Sequence, residues 1–208
     1  GLVLSVSMVG RILADLKQRG RLPEPRVPAG RKPKPTRPYA IRRPKGTPPP
    51  ALPGDVVQID TVHVRPMTNI ELRQFSAIDV VSRIAWGTVR TRATAGTARD
   101  FVLELVEAMP FRITAIQVDG GSEFMAEFEL ACRDLGITLY VLPPRSPKLN
   151  GCVERFNRTT RAEFWRWYTG LTTVADTTAA LQRWTARYNA TRRHASLGYR
   201  TPLDFLDA

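Results

Sequence analysis

The chain has 208 residues, of which 31 are Lys or Arg and 19 are Asp or Glu, so its formal net charge is +12. A chain of this length can bury one good core with segments to spare, and so large a positive charge indicates a polyanionic partner such as nucleic acid. No stretch reaches the roughly 18 apolar residues of a membrane-spanning helix and no signal-peptide pattern occurs, which excludes a membrane partner and predicts a cytoplasmic, nucleoid-associated protein.

Cysteine and histidine are scarce in the chain. The two cysteines are Cys132 and Cys152, and the two histidines are His63 and His194. Their number and spacing exclude a structural zinc site of the usual kind. Two cysteines in a chain of this size also predict a reducing compartment and no structural disulfide.

Residues 1–21 contain one predicted amphipathic helix. Met8, Ile12 and Leu16 fall at helical spacing, a serine precedes them, and Gly20 can end the helix. The segment resembles the last, recognition-type helix of a helix-turn-helix domain, so we expect the chain to be a fragment that begins inside such a domain. A helix that only packs against a neighbour is the alternative. The polar side chains that could meet DNA are Ser5, Ser7, Arg11 and Lys17.

Residues 22–53 form a predicted basic linker. Ten of the 17 prolines lie in 22–52, and 12 of the 31 basic residues but only 2 of the 19 acidic residues lie in 1–50. Such a composition predicts an extended, semi-rigid strap that buries little and lies along phosphates. A plain linker between domains is compatible with that role. The candidate DNA contacts are Arg31, Lys32, Lys34, Arg42 and Arg43.

Residues 54–170 have the pattern of a globular α/β domain. Strands are predicted at 56–64, 73–81, 84–91, 113–118 and 138–142, and helices at 97–109 and 123–135. Three strands in succession followed by alternating helices and strands predict a mixed five-stranded sheet flanked by helices. Residues 171–208 are predicted to form a helical C-terminal extension, with a helix at 174–191 that buries Trp184 and Tyr188.

Three acidic residues stand out from this pattern. Asp60 interrupts a run of β-branched residues, although Asp is depleted in strands, and Asp119 ends an apolar run before two glycines. Prolines precede Glu154, and Asn150 offers a start signal that places Glu154 in the first turns of a new helix. An ordinary ion pair with neighbouring arginines is the alternative for Glu154. Three carboxylates that converge can hold two hard divalent cations.

The segments VQIDTVHV, VDGGSEF and PKLNGCVERFNRTTRAEF resemble the DDE superfamily of polynucleotidyl transferases, which includes bacterial insertion-sequence transposases and retroviral integrases. The resemblance implies an RNase H-like fold in which Asp60, Asp119 and Glu154 bind two Mg²⁺ or Mn²⁺ ions, with Asp60 bridging both. It implies strand cleavage and strand transfer on double-stranded DNA by a DNA-bound homo-oligomer. One departure is Gly120, where the family commonly has asparagine, so a family contact through that side chain is expected to be missing.

The neighbours of Glu154 resemble the DNA-contacting positions of the family, with structural pairing as the alternative. These residues are Lys148, Asn150, Arg155, Arg158 and Arg161. Three nearby residues receive structural interpretations: Glu123 as an acid favoured at a helix start, Asp79 as the partner of Arg83, and His63 as packing on the opposite sheet face. An RNase H-like nuclease and a catalytically decayed DNA-binding protein are the alternative functions.

Overall fold

The computed structural model describes residues 5–22, 37, 39–67, 70–143, 147–170 and 173–208, with the backbone alone at 147 and 148. The chain divides into two compact units, Gly1–Thr36 and Arg37–Ala208. In the first unit, helix α1 spans Val6–Gln18, and the Ser5 hydroxyl accepts a hydrogen bond of 3.3 Å from the Met8 amide. The predicted helix is therefore confirmed. None of its side chains is buried.

The second unit contains all the remaining helices and the strands. In chain order they are β1 (Val57–Met67), β2 (Ile70–Asp79), β3 (Ala85–Arg90), α2 (Ala95–Ala108), β4 (Ala115–Val118), α3 (Glu127–Asp134), β5 (Thr138–Val141), α4 (Gly151–Thr160), α5 (Val174–Thr191) and α6 (Pro202–Leu206). A π-helical segment, Arg161–Trp165, continues α4. Among the described residues, no helix is long and apolar enough to cross a membrane.

The five strands form one mixed sheet in the order β3-β2-β1-β4-β5. The first three strands pair antiparallel, whereas β4 pairs parallel with both β1 and β5. Val57 lies beside Ile116, and Gln58 lies beside Gln117. The predicted mixed five-stranded sheet is confirmed.

Side-chain alternation along β1 divides the core between the two faces of the sheet. Val57 and Ile59 are fully buried in a cluster with residues of α2 and α3. Val62 and Val64 belong to a second cluster with residues of α5 and the π-helical segment. Successive side chains of a strand point to opposite faces, so the even-numbered residues of β1 face α5 and the π-helical segment.

The helix predicted at 123–135 is interrupted. A 3₁₀ turn covers Ser122–Phe124, and α3 begins only at Glu127. Ala126 between them has a φ of 47°, which lies outside the helical region, so one continuous helix is impossible there. The break allows Phe124 and Phe128 to pack against each other, with ring centroids 5.2 Å apart.

Part of the predicted linker is packed against the sheet, which contradicts the expectation that it buries little. Glu129 is 2% exposed and accepts backbone hydrogen bonds from Tyr39, at 2.9 Å, and from Ala40. The Tyr39 hydroxyl donates to the Ile137 carbonyl at 2.8 Å, and the Arg37 guanidinium lies 3.6 Å from Glu129. A buried carboxylate needs such donors, and here the linker supplies them. We call residues 37 and 39–41 the clasp.

Both edges of the sheet have hydrogen-bond partners outside the five strands. At β5, the Ile41 amide donates to Leu139 and the Ile41 carbonyl accepts from Val141, each at 2.9 Å. At β3, the Asn189 side chain of α5 both accepts from the Ala85 amide and donates to its carbonyl, again at 2.9 Å. Side chains and a short segment therefore replace further strands.

Candidate active site

Two glutamines position helix α4 on the sheet. Gln58 and Gln117, side by side on β1 and β4, both donate to the Leu149 carbonyl, at 2.8 and 2.7 Å. Gln58 Oε1 also accepts from the amides of Cys152, at 3.1 Å, and Val153, at 3.2 Å. These amides belong to the first turn of α4, where backbone donors lack partners within the helix. The N-terminus of α4 is therefore fixed to the two central strands.

Each glutamine is followed two residues later by an aspartate. Asp60 lies on the same face of β1 as Gln58, because strand side chains alternate with a period of two. Continuing the parallel register of Gln58 and Gln117 by two residues brings Asp119 beside Asp60. Glu154 lies in the first turn of α4, as predicted. The sheet and the helix thus bring the three predicted carboxylates to the same side of the sheet, within reach of one another's charge.

The electrostatics of Asp60 reflect this arrangement. Its pKa is raised from 3.8 to about 6, mainly by burial, then by the negative charge of Asp119 and, to a smaller extent, by that of Glu154. Hydrogen bonds from the Thr61 amide, at 2.9 Å, and from Asn157 Nδ2, at 2.8 Å, act in the opposite direction. Asp60 is therefore close enough to both Asp119 and Glu154 to interact with their charges.

The donor chemistry fits hard divalent cations, which take oxygen ligands. Within the described ranges, no three acidic, histidine or cysteine side chains are close enough together to hold a metal ion, so the carboxylates would have to move closer to bind one. Gly121 keeps space beside Asp119: a Cβ there would lie 3.0 Å from Asp119 Oδ1 and 2.6 Å from Glu123 Oε2. Glu123 lies in the 3₁₀ turn Ser122–Phe124, and its carboxylate also borders this space.

A series of buried side-chain hydrogen bonds supports Asp60, and the sequence did not predict it. Asn157, which donates to Asp60, lies 3.5 Å from Gln74 Nε2, and Gln74 Oε1 in turn accepts from the Trp165 indole. The signal for Asn157 was its position three residues after Glu154, on the same side of α4. Trp165 can reach this series of hydrogen bonds from the π-helical segment.

The predicted DNA-contacting residues have different surroundings. Arg155, Arg158 and Arg161 are exposed, as are Arg11, Lys17 and Arg42. Asn150, in contrast, is only 5% exposed, so its side chain offers little surface to DNA, and the contact stays a prediction. Asn150 directly precedes α4, and it is buried because that helix is attached to the sheet. Arg43 is half-buried, and Nη2 donates to the Pro48 carbonyl at 2.6 Å. The side chain of Lys148 and the whole of Arg31, Lys32 and Lys34 lie outside the described residues.

Two structural interpretations from the sequence are wrong. The Asp79 carboxylate does not pair with the Arg83 side chain but accepts hydrogen bonds from Gly54, Val81 and Ser82. The backbone turn after β2 brings these donors to Asp79. His63 is not packed, because its side chain is 37% exposed and lies 3.3 Å from Glu71.

The comparisons with known proteins agree with this arrangement. Two family models, both described as integrase core domain, match residues 50–147 and 135–202. The chain belongs to the integrase core domain family. An uncharacterized protein of insertion element IS136 from Agrobacterium fabrum is 28% identical over 143 residues, which cover 63% of this chain and 71% of that protein.

Solved integrase structures share the fold. A chain of the simian T-cell lymphotropic virus intasome, in complex with PP2A regulatory subunit B56 gamma, superposes with a TM-score of 0.68 at 22% identity over 85% of this chain. The present chain covers 60% of the length of that chain. The HTLV-2 integrase catalytic core domain in complex with magnesium superposes with a TM-score of 0.59 at 16% identity, over 74% of this chain and 97% of that one. The RNase H-like integrase core fold is thus established for this chain.

Proposed function

We propose that this integrase core is a DDE-type polynucleotidyl transferase that cleaves the ends of a mobile element and joins them to target DNA. The observation that carries the proposal is the position of Asp60, Asp119 and Glu154. The negative charges of Asp119 and Glu154 lie close enough to Asp60 to raise its pKa. The same three residues would hold two Mg²⁺ or Mn²⁺ ions. Bound ions of this kind activate an oxygen nucleophile and stabilise the leaving oxygen.

The protein residues divide the remaining work. In each reaction an oxygen of water or of a DNA 3′-hydroxyl forms a bond to phosphorus, and the bond to the departing 3′-oxygen breaks. Asn157 orients Asp60 by donating to one of its oxygens, and Gln58 with Gln117 sets the distance of α4 from the strands. Exposed Arg158 and Arg161 follow Glu154 at helical spacing, so their guanidinium groups would hold DNA phosphates on the side of the nucleophile.

The wider organisation belongs to the same proposal. Residues 1–21 would contribute a DNA-binding helix of the helix-turn-helix type, 22–53 a basic linker, 54–170 the catalytic core and 171–208 a helical extension. Joining two element ends requires at least two active sites, so the DNA-bound form would be a homo-oligomer. The intasome and the dimeric form of the HTLV-2 core are assemblies of related folds.

The deciding experiment replaces Asp119, which is exposed and accepts a local hydrogen bond of 2.9 Å from the Gly121 amide. Asp119→Asn should lower Mg²⁺-dependent joining of an element end by about 100-fold or more, because removal of a direct ligand should exceed the typical cost of losing an outer-shell partner. DNA binding should remain near that of the unaltered protein. Gel assays of joined products and fluorescence anisotropy measure the two quantities.

The matched control is Asp134→Asn, which removes an exposed acid of α3 that pairs with Arg133 at 3.1 Å. Its joining rate should not change. Normal joining by Asp119→Asn would reject the proposal. Cleavage without joining, or a preference for RNA–DNA hybrids, would identify a nuclease instead, and no metal-dependent reaction by the unaltered protein would identify a DNA-binding protein.

A further inference from the structure

A second polar site lies at the N-terminal end of helix α4, outside the group of carboxylates. A cavity of about 440 Å³ opens between α4, the turn after β2 and the 3₁₀ turn Ala195–Leu197. Cys152, Arg155 and Phe156 form its α4 wall. At 3.6 residues per turn this face of the helix differs from the one that carries Glu154 and Asn157.

The cavity gathers positive charge without a counter-ion. Arg83 and Arg155 both line it, and none of the described residues that line it is acidic. Arg83 comes from the turn after β2, where its φ is 65°, and its Nε donates to Ser196 Oγ at 3.2 Å. Arg155 is exposed, and its guanidinium makes no hydrogen bond or ion pair with any described residue. Its guanidinium is therefore free to bind an anion.

His194 adds a polar group that is not paired. Its Nε2 is buried in the wall, and no hydrogen-bond partner for it occurs within the described residues. Burial, followed by the charges of Arg83, Arg192 and Arg155, lowers the pKa of His194 to about 4. An uncharged imidazole can still donate one hydrogen bond. A buried polar nitrogen without a partner costs free energy, and a ligand oxygen would remove that cost.

We propose that this cavity binds a phosphate group through Arg83, Arg155, His194 and Ser196, and that the group is a backbone phosphodiester of DNA. Guanidinium groups bind phosphate through paired, charge-assisted hydrogen bonds. The source in DNA rests on the proposed function, whereas the phosphate chemistry does not. Arg155 directly follows Glu154 in the sequence, so a strand held here would pass close to the site of reaction.

Cys152 provides a direct probe, because it lines the cavity and is half-buried. Cys132, the other cysteine, is fully buried, and burial raises the pKa of its thiol to about 12, so it should hardly react. The experiment follows alkylation of Cys152 by iodoacetamide, with peptide mass spectrometry, in the full chain without metal. At about 90% occupancy by inorganic phosphate or by a DNA duplex, alkylation should slow about tenfold, because only the empty cavity reacts.

Arg155→Gln is the main variant, since an exposed and unpaired side chain can be removed without loss of folding. It should abolish the protection of Cys152 by either ligand, and Arg83→Gln should do the same. Arg99→Gln is the control, because it removes an equal charge from α2, where Arg99 pairs with Asp100 at 2.7 Å. That variant should keep full protection.

The outcomes separate the sources of phosphate. Protection by both ligands that disappears in Arg155→Gln supports the proposal. Protection by inorganic phosphate alone overturns the assignment to DNA, and protection by neither overturns the site. If DNA still protects Cys152 in Arg155→Gln, the DNA shields the protein surface in general, and the proposed site is overturned. Since no joining is measured, a protein without transferase activity could still show the protection.

Discussion

Two neighbouring strands each carry an aspartate, fully buried in one case and half-buried in the other, and the two carboxylates differ in how many hydrogen-bond donors surround them. Asp79, at the end of β2, is fully buried and accepts hydrogen bonds from Gly54, Val81 and Ser82. Asp60, in β1, has two donors and two acidic neighbours. Burial raises the pKa of both. The first carboxylate holds a turn together, whereas the second is left available to a cation.

The largest effect should come from Asp60. Asp60→Asn should lower joining by about 100-fold or more, since a ligand expected to bridge both ions is lost. The folded structure should survive, because the substitution removes a charge that its neighbours oppose. Joining assays combined with circular dichroism test this contrast. A variant that joins DNA at the normal rate would place the metal site elsewhere.

Asp79 should show the opposite behaviour. Asp79→Ala should lower the free energy of unfolding by about 3 kcal/mol, because it leaves buried amides without acceptors. Joining per folded molecule should be unchanged. Urea denaturation, with Asp134→Ala as the exposed control, measures the difference. A loss of joining at full stability would mean that Asp79 belongs to the reactive site.

Glu129 offers a second case of a satisfied buried acid. Glu129→Ala should lower the free energy of unfolding by about 2 kcal/mol, because the amides of Tyr39 and Ala40 lose their acceptor. It should also expose the clasp to proteolysis. The exposed neighbour Glu127 provides the control, and limited chymotrypsin digestion detects release by cleavage after Tyr39. Unchanged digestion would show that the Ile41 bridge alone holds the segment.

The smallest effect concerns pH in the absence of metal. Asp60 has a pKa of about 6 when folded and an ordinary value of 3.8, so the folded protein binds more protons between these values. Its contribution to stability is therefore full below about pH 4 and is lost as the pH rises through 6. His194 acts oppositely, because its pKa is lowered from 6.5 to about 4, so its contribution is lost as the pH falls through that range.

A difference measurement separates the two groups. Unfolding free energies of the unaltered protein and of Asp60→Asn, compared from pH 4 to 7, should diverge in favour of the variant as the pH rises. The corresponding comparison for His194→Asn should move in the other direction. Parallel curves for Asp60→Asn would show that the pKa of Asp60 is not raised in the folded protein.

Local patterns predicted much of the fold and the positions of the candidate site. The helix at 174–191 and the five strands followed from periodicity and turn residues, and Asp60 was visible because a strand rarely carries such a residue. Glu154 was placed in the first turn of α4 by the prolines before it. Each of these inferences depends on neighbours in the sequence.

The remaining features depend on partners far along the chain. Glu129 meets Tyr39 across 90 positions, and Gln58 meets Leu149 across 91. Nothing in the local pattern distinguishes these buried polar residues from exposed ones. The Arg83 error has a similar cause, because its side chain turns toward Ser196, 113 positions away. Only the tertiary fold shows which polar side chains are partners.

Both edges of the sheet are partly covered, and this has a consequence for assembly. An open edge strand can pair with another chain and thereby start aggregation. Here Ile41 covers part of β5, and Asn189 with Thr178 covers amides of β3, Thr178 accepting from the Val89 amide at 3.1 Å. Copies of this basic protein that lie side by side on DNA would therefore offer one another few free backbone donors at these two sheet edges. Subunits that come together on DNA would have to recognise each other through side chains and helices rather than by extending a common sheet.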